Sequence, residues 1–140
     1  KLVDIKYHIY GSTRYLEKYG IPNNLNDLNK HRFISFGKGA PSPVFNPDWA
    51  LKLGIKDNKK RKSIMKVNSV MGLLLAVESG VGLAALPDYL VFQSQNVIKV
   101  LPKLEGPITE AHFVYPQSLK NVARVQVFRN FLYSKIGDWK

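Results

Sequence analysis

The chain has 140 residues, 45% of them hydrophobic and 22% charged, enough for one domain with a real core and too apolar for a disordered segment. It has no cysteine, which excludes disulfides and thiolate chemistry and fits a reducing, cytoplasmic setting, and no run is long enough to span a bilayer. A formal net charge of +11 favours polyanions or anionic small molecules as partners.

Val3, Ile5, Tyr7 and Ile9 alternate with Asp4, Lys6 and His8, the period of a half-buried strand. Gly11 breaks it, and Ser12 caps a short helix, Thr13 to Tyr19, closed by Gly20. Tyr15, Leu16 and Tyr19 form the buried stripe of that helix. Ile21-Pro22 turns the chain, and Asn24 caps a second short helix around Leu25 to Leu28. Phe33 to Phe36 is a strand ended by Gly37, and the glycine and prolines of 38–48 mark a loop. Trp49 to Leu53 and Ser63 to Val67 read as two strands of a hairpin joined by the polar Lys56–Lys60 turn.

Residues Val67 to Leu90, VNSVMGLLLAVESGVGLAALPDYL, are the longest charge-poor run in this basic chain. Asn68 and Ser69 can cap a helix, and Val70, Leu73, Leu74 and Val77 keep the spacing of a buried helical face. Met71 and Leu75 widen that face, so the helix is expected to be mostly covered. Gly80 stands at a left-handed C-terminal cap, and Gly82 lets the chain turn again. Leu83 to Leu86 is a short buried strand that Pro87 ends. Gly80-Val81-Gly82 runs from helix into strand, the reverse of a dinucleotide fingerprint. The helix start at Asn68 and Ser69 is an anion site, because first-turn N–H groups lack intrahelical acceptors.

Leu90 to Gln93 continues as a helical turn, Val97 to Leu101 is a strand ended by Pro102, and Ala111 to Tyr115 is another ended by Pro116. The last helix runs from about Asn121 to Ile136, with Val122, Val125, Phe128, Phe131 and Leu132 on its apolar face. Alternating strands and helices define an α/β sheet domain. A strand at Val3 and a helix at the far end imply a sheet completed from a neighbouring lobe upstream of Lys1.

Chemistry-bearing patterns are sparse. His8, His31 and His112 have no metal-ligand spacing, and each is expected to be a surface or satisfied polar group. There is no G-x-S-x-G elbow, no Walker A pattern and no paired carboxylates, so neither an enzyme nor a cofactor is indicated. Lys56, Lys59, Lys60, Arg61, Lys62 and Lys66 crowd one stretch against Asp57. That stretch is expected to be a solvated loop and an exposed strand face.

Three stretches together resemble the effector-binding domain of LysR-type transcriptional regulators: IYGSTRYLEKYGIPNNLNDLNKHRFISF, the central run, and FVYPQSLKNVARVQVFRNFL. The resemblance covers nearly the whole chain. It implies an α/β fold like type-2 periplasmic binding proteins, with two lobes and a small effector in the cleft between them. Residues 8–114 then form the second lobe, with 1–7 and 115–140 belonging to the first. The family's winged helix-turn-helix and most of its first lobe have no counterpart, so the chain is expected to be a truncated fragment with the DNA-reading head absent. Ligand contacts carried over from the family fall on Gly11 and Ser12, on Ser35 and Phe36, on Asn68 and Ser69, and on Pro87. The implied partners are a small effector, with an anionic one preferred, and a second copy in a homodimer or higher oligomer. DNA is reached only through the absent head, and no membrane is involved. A stand-alone solute-binding protein of the same fold is one alternative. A nucleic-acid-binding module using the Lys56–Lys66 patch is the other.

Overall fold

The computed structural model describes residues 1–37, 46, 48–57 and 59–136. Strand β1 (Val3–Ser12) is longer than its sequence pattern suggests. It runs through Gly11, whose bare Cα faces the Leu83 and Leu16 side chains; a Cβ there would stand 2.6 Å from Leu83 Cδ2. Ser12 then caps helix α1 (Thr13–Tyr19) as expected, its Oγ accepting from the Tyr15 N–H at 3.3 Å. Tyr15 and Leu16 are buried, but Tyr19 is half exposed and carries Lys18 and Arg32 over its ring.

The next stretch departs furthest from expectation. The Asn24 Oδ1 accepts from the N–H groups of Asn26 and Asp27, but in place of the expected helix around Leu25 to Leu28 there is a 3-10 turn over Asp27–Lys30 whose cap position is Asn26. Strand β2 (Phe33–Phe36) forms as expected. The loop expected over 38–48 lies largely outside the described residues. Trp49–Lys52 is a helical turn, α2, rather than a strand. Strand β3 (Ser63–Val67) pairs parallel with β2, so there is no hairpin. Trp49, Ala50 and Leu51 bury together against Tyr7, Phe33 and Leu83, a cluster one helical turn can fill from a single side.

Helix α3 (Val70–Glu78) starts at Ser69, whose Oγ accepts from the Gly72 N–H. Leu73, Leu74 and Val77 are buried, whereas Met71 and Leu75 stay more than half exposed, because α3 packs on the sheet with one side only. Gly80 has φ 74° and ends the helix in the left-handed region, as its position requires. Strand β4 (Ala84–Pro87) passes directly into α4 (Asp88–Val91), which is followed by β5 (Val97–Val100). Strand β6 (Ile108–Ala111) lies just upstream of the stretch predicted for it. Helix α5 (Ala123–Ile136) begins two residues late and buries none of its residues; Phe128 meets Phe113, and the Tyr133 hydroxyl donates to the Lys1 carbonyl.

The strand order fixes one end of the lobe. β1 is antiparallel to both β4 and β5, so those two run the same way. Leu83 bridges Phe33 in parallel, which joins the β2–β3 pair to β4 in the same sense. The carboxyl tips Val67, Phe36, Pro87 and Val100 therefore share one edge, beside Tyr7. From that edge the first half of β1 continues outward, paired with β6. α1 and α2 cover the face carrying Tyr7, Ile9 and Phe33; α3 and α4 cover the face carrying Tyr10, Ile34 and Leu86.

Gly82 is needed for close approach, since a Cβ there would lie 2.5 Å from the Arg32 carbonyl oxygen. Gly82→Ala should therefore destabilise the lobe by about 1–3 kcal/mol, the usual cost of overpacking against an immovable neighbour, read as a lower urea midpoint with unchanged slope.

Candidate functional site

Ligands of open α/β sheets sit outside the carboxyl ends of the strands. Four of the seven residues singled out from the sequence gather there. Phe36 stands opposite Val67, and the Gly37 N–H donates to the Val67 carbonyl at 2.9 Å, which ties the two strand tips together. Asn68 and Ser69 follow at once, both exposed, with Asn68 beside Gly37. Ser35 is one step back and buried, its Oγ donating to Ser63 Oγ at 2.8 Å. Helix geometry leaves the N–H groups of Val70 and Met71 without intrahelical acceptors, and they open on this same edge.

The other three are placed differently. Gly11 and Ser12 pair with Ile98 and Val97 at the opposite end of the sheet. Ser12 is 1% exposed and its hydroxyl is engaged as a helix cap, so the structure does not bring this pair to the carboxyl edge. Pro87 is at the edge, but its ring is fully buried and it offers no side-chain surface.

Its neighbour Asp88 does. His8 Nδ1 lies 2.7 Å from Asp88 Oδ1, the Tyr10 hydroxyl donates to the same oxygen at 2.8 Å, and Lys99 Nζ donates to Oδ2 at 3.2 Å. His8 is the satisfied polar residue expected from the sequence. The convergence on Asp88 was missed, because β1, β4 and β5 meet only in the fold. The signal available was weak: Asp88 and Glu78 are the only charges in the central run, and His8 and Tyr10 share one face of a strand. Burial by itself raises the Asp88 pKa, but hydrogen bonds from His8, Tyr10 and Lys99 outweigh it and hold the carboxyl below its ordinary value. Burial and the Asp88 carboxylate together push the Tyr10 hydroxyl well above its ordinary value.

Two members of the basic stretch are engaged within the fold, while Lys56, Lys59, Lys62 and Lys66 stay exposed as expected. Arg61 donates from Nη1 to the Leu53 carbonyl, from Nη2 to the Leu25 carbonyl and from Nε to Asn29 Oδ1. Lys60 pairs with Asp48. Among the described residues no group of three or more His, Cys, Asp or Glu could hold a metal ion, and no helix is long and apolar enough to cross a membrane.

An open sheet with helices on both faces and a bared carboxyl edge is an architecture of the periplasmic-binding-protein-like class. The family model "LysR substrate binding domain" matches residues 1–136. Over 113 residues the chain is 31% identical to an uncharacterized HTH-type transcriptional regulator of Haemophilus influenzae, covering 78% of this chain and 38% of that protein. It is 27% identical over 142 residues to the HTH-type transcriptional regulator CrgA of Neisseria meningitidis, covering 98% and 46%. The CrgA regulatory domain superposes with a TM-score of 0.72 at 24% identity, over 96% of this chain and 66% of that one. The AphB regulatory domain of Vibrio vulnificus does so with 0.67 at 13%, over 96% and 67%. The chain belongs to the LysR substrate-binding domain family, and it spans less than half the length of the curated relatives it matches.

The Asp88 cluster has a pH signature. A depressed folded-state pKa gives stability that is complete above the unfolded value, near 3.8, and is lost as pH falls toward the folded one. Asp88→Asn should cost about 1–3 kcal/mol at pH 7, as for removing the charged acceptor of buried donors. It should also flatten the fall in stability below about pH 4. Urea midpoints of both proteins at pH 7 and pH 3.5 check this.

Proposed function

We propose that this chain is the ligand-sensing part of a LysR-type DNA-binding transcription regulator and that it catalyses no reaction. Residues 8–114 act as the second lobe, and 1–7 with 115–140 belong to the first. A small effector settles on the carboxyl edge, against Phe36 and between Ser35, Asn68 and Ser69. The observation that carries this reading is the meeting of two strand tips and an exposed helix start at one edge, beside the β1–β6 ribbon that leads out of the lobe. Gly11, Ser12 and Pro87 support the site through packing rather than touch the ligand.

An anionic effector suits the edge. Unsatisfied N–H groups at the start of α3 favour negative charge, and the chain carries a formal charge of +11. Effector binding biases closure against the other lobe and the pairing of subunits in a dimer or higher oligomer, and through these the DNA-binding region, in the cytoplasm. The nucleic-acid reading of Lys56–Lys66 loses ground, since Arg61 and Lys60 are engaged within the fold. The solute-binding alternative loses it to the regulators among the relatives.

Asn68→Ala is the informative variant, because the Asn68 side chain is exposed and does not cap α3. Thermal melts against a panel of small carboxylic acids should show at least one acid that stabilises the chain. Asn68→Ala should weaken the response to that acid by roughly three- to tenfold while leaving the unliganded melt unchanged. A panel without a stabilising acid, or an Asn68→Ala response equal to that of the parent chain, would sink the proposal.

A further inference from the structure

A cavity of about 250 Å³ lies between α2 and the β2–β3 pair; its lining includes Ser35, Asp48, Leu51, Lys62, Ser63 and Lys66. Ser35 and Lys66 stand opposite each other in the parallel register, so their side chains leave the sheet on the same face. The Ser35 hydroxyl donates to Ser63 Oγ, and Ser63's own hydroxyl proton has no acceptor among the described residues. The charges sort themselves. Lys60 is neutralised by Asp48, and Arg61 is held by backbone carbonyls and Asn29. Lys62 and Lys66 have no carboxylate within ion-pair distance among the described residues. The cavity thus combines two uncompensated ammonium groups, a hydroxyl with a proton to give, and an apolar wall at Leu51.

We propose that this cavity binds a small monocarboxylate with a compact apolar body. Lys62, Lys66 and the Ser63 hydroxyl hold the acid group, while Leu51 contacts the apolar end. The size agrees, because the cavity lies just under the range of roughly 300–1,000 Å³ that suits drug-sized ligands. The cavity adjoins the effector edge and shares Ser35 and Phe36 with it, but the groups that hold the acid, Lys62, Lys66 and Ser63, are not part of the cleft reading, and Asn68 and Ser69 are not part of the cavity.

Amide chemical shifts of the 140-residue chain, titrated separately with benzoate, benzamide and sulfate, test the proposal. Benzoate should shift the amides of Ser35, Ser63 and Lys66 saturably. Benzamide, with the same ring and no charge, should not, and sulfate should do so only weakly. Lys62→Gln with Lys66→Gln should weaken benzoate by roughly tenfold, the combined effect of two exposed charges, at an unchanged melting temperature. Three results would overturn the site: equal shifts with benzamide or sulfate, undiminished benzoate binding in the double variant, or no pocket shift at all. Benzoate shifts confined to Asn68 and Ser69 would also overturn it, while leaving the cleft reading standing.

Discussion

Two backbone hydrogen bonds hold the sheet together where its halves meet. The Leu83 N–H donates to the Arg32 carbonyl at 2.8 Å, and the Ile34 N–H donates to the Leu83 carbonyl at 2.8 Å. Without them β2 and β3 form a separate two-stranded ribbon, which has little independent stability in water. With them, four strands run the same way and their tips share an edge. The helices then take opposite faces, and both core clusters contain a member of the β2 strand, Phe33 on one side and Ile34 on the other. A short bridge between residues 49 to 51 positions apart in sequence therefore decides which strand tips share an edge. It also explains the glycine before Leu83: here the backbone needs room to approach another strand, whereas its neighbour two residues earlier needs a left-handed turn.

The parts of the fold legible in the sequence are those whose signals are local. The capped helix, its left-handed glycine and the strand after it follow from caps, spacing and a proline, and all three formed. Trp49–Leu53 shows the limit. One helical turn of four residues is too short for its period to be told from alternation, so a Trp-Ala-Leu-Lys run reads equally well as a strand. A strand at that position makes the polar residues after it resemble a hairpin turn. In the fold Arg61, part of that polar run, is the tie that fastens the segment to α2 and to the Asn29 region. A lone arginine among lysines gives no hint of this in one dimension.

The candidate site was half legible for the same reason. Asn68 and Ser69 announce themselves as a helix start, and Phe36 as a strand end before glycine. That these tips are neighbours depends on parallel pairing across about thirty residues, which no local pattern encodes. Ser12 has the same cap chemistry as Ser69 but lies at the opposite edge, where its hydroxyl is buried. Identical local chemistry thus separates into a structural cap and an exposed edge only through strand direction.

Strand direction also gives Asp88 its significance. Among the described strands β1 alone runs against the others, and its first half extends beyond the carboxyl edge paired with β6. His8 and Tyr10 sit on β1 just inside that exit, and both are fastened to the first residue of α4 at the carboxyl edge. A shift of the outgoing ribbon along the strand axis would have to stretch these short contacts or carry Asp88 with it. In the other direction, a ligand that displaces α4 pulls on β1. The buried histidine, the tyrosine and the shared carboxylate thus form a polar link between the carboxyl edge of the sheet and the strand that leads out of it.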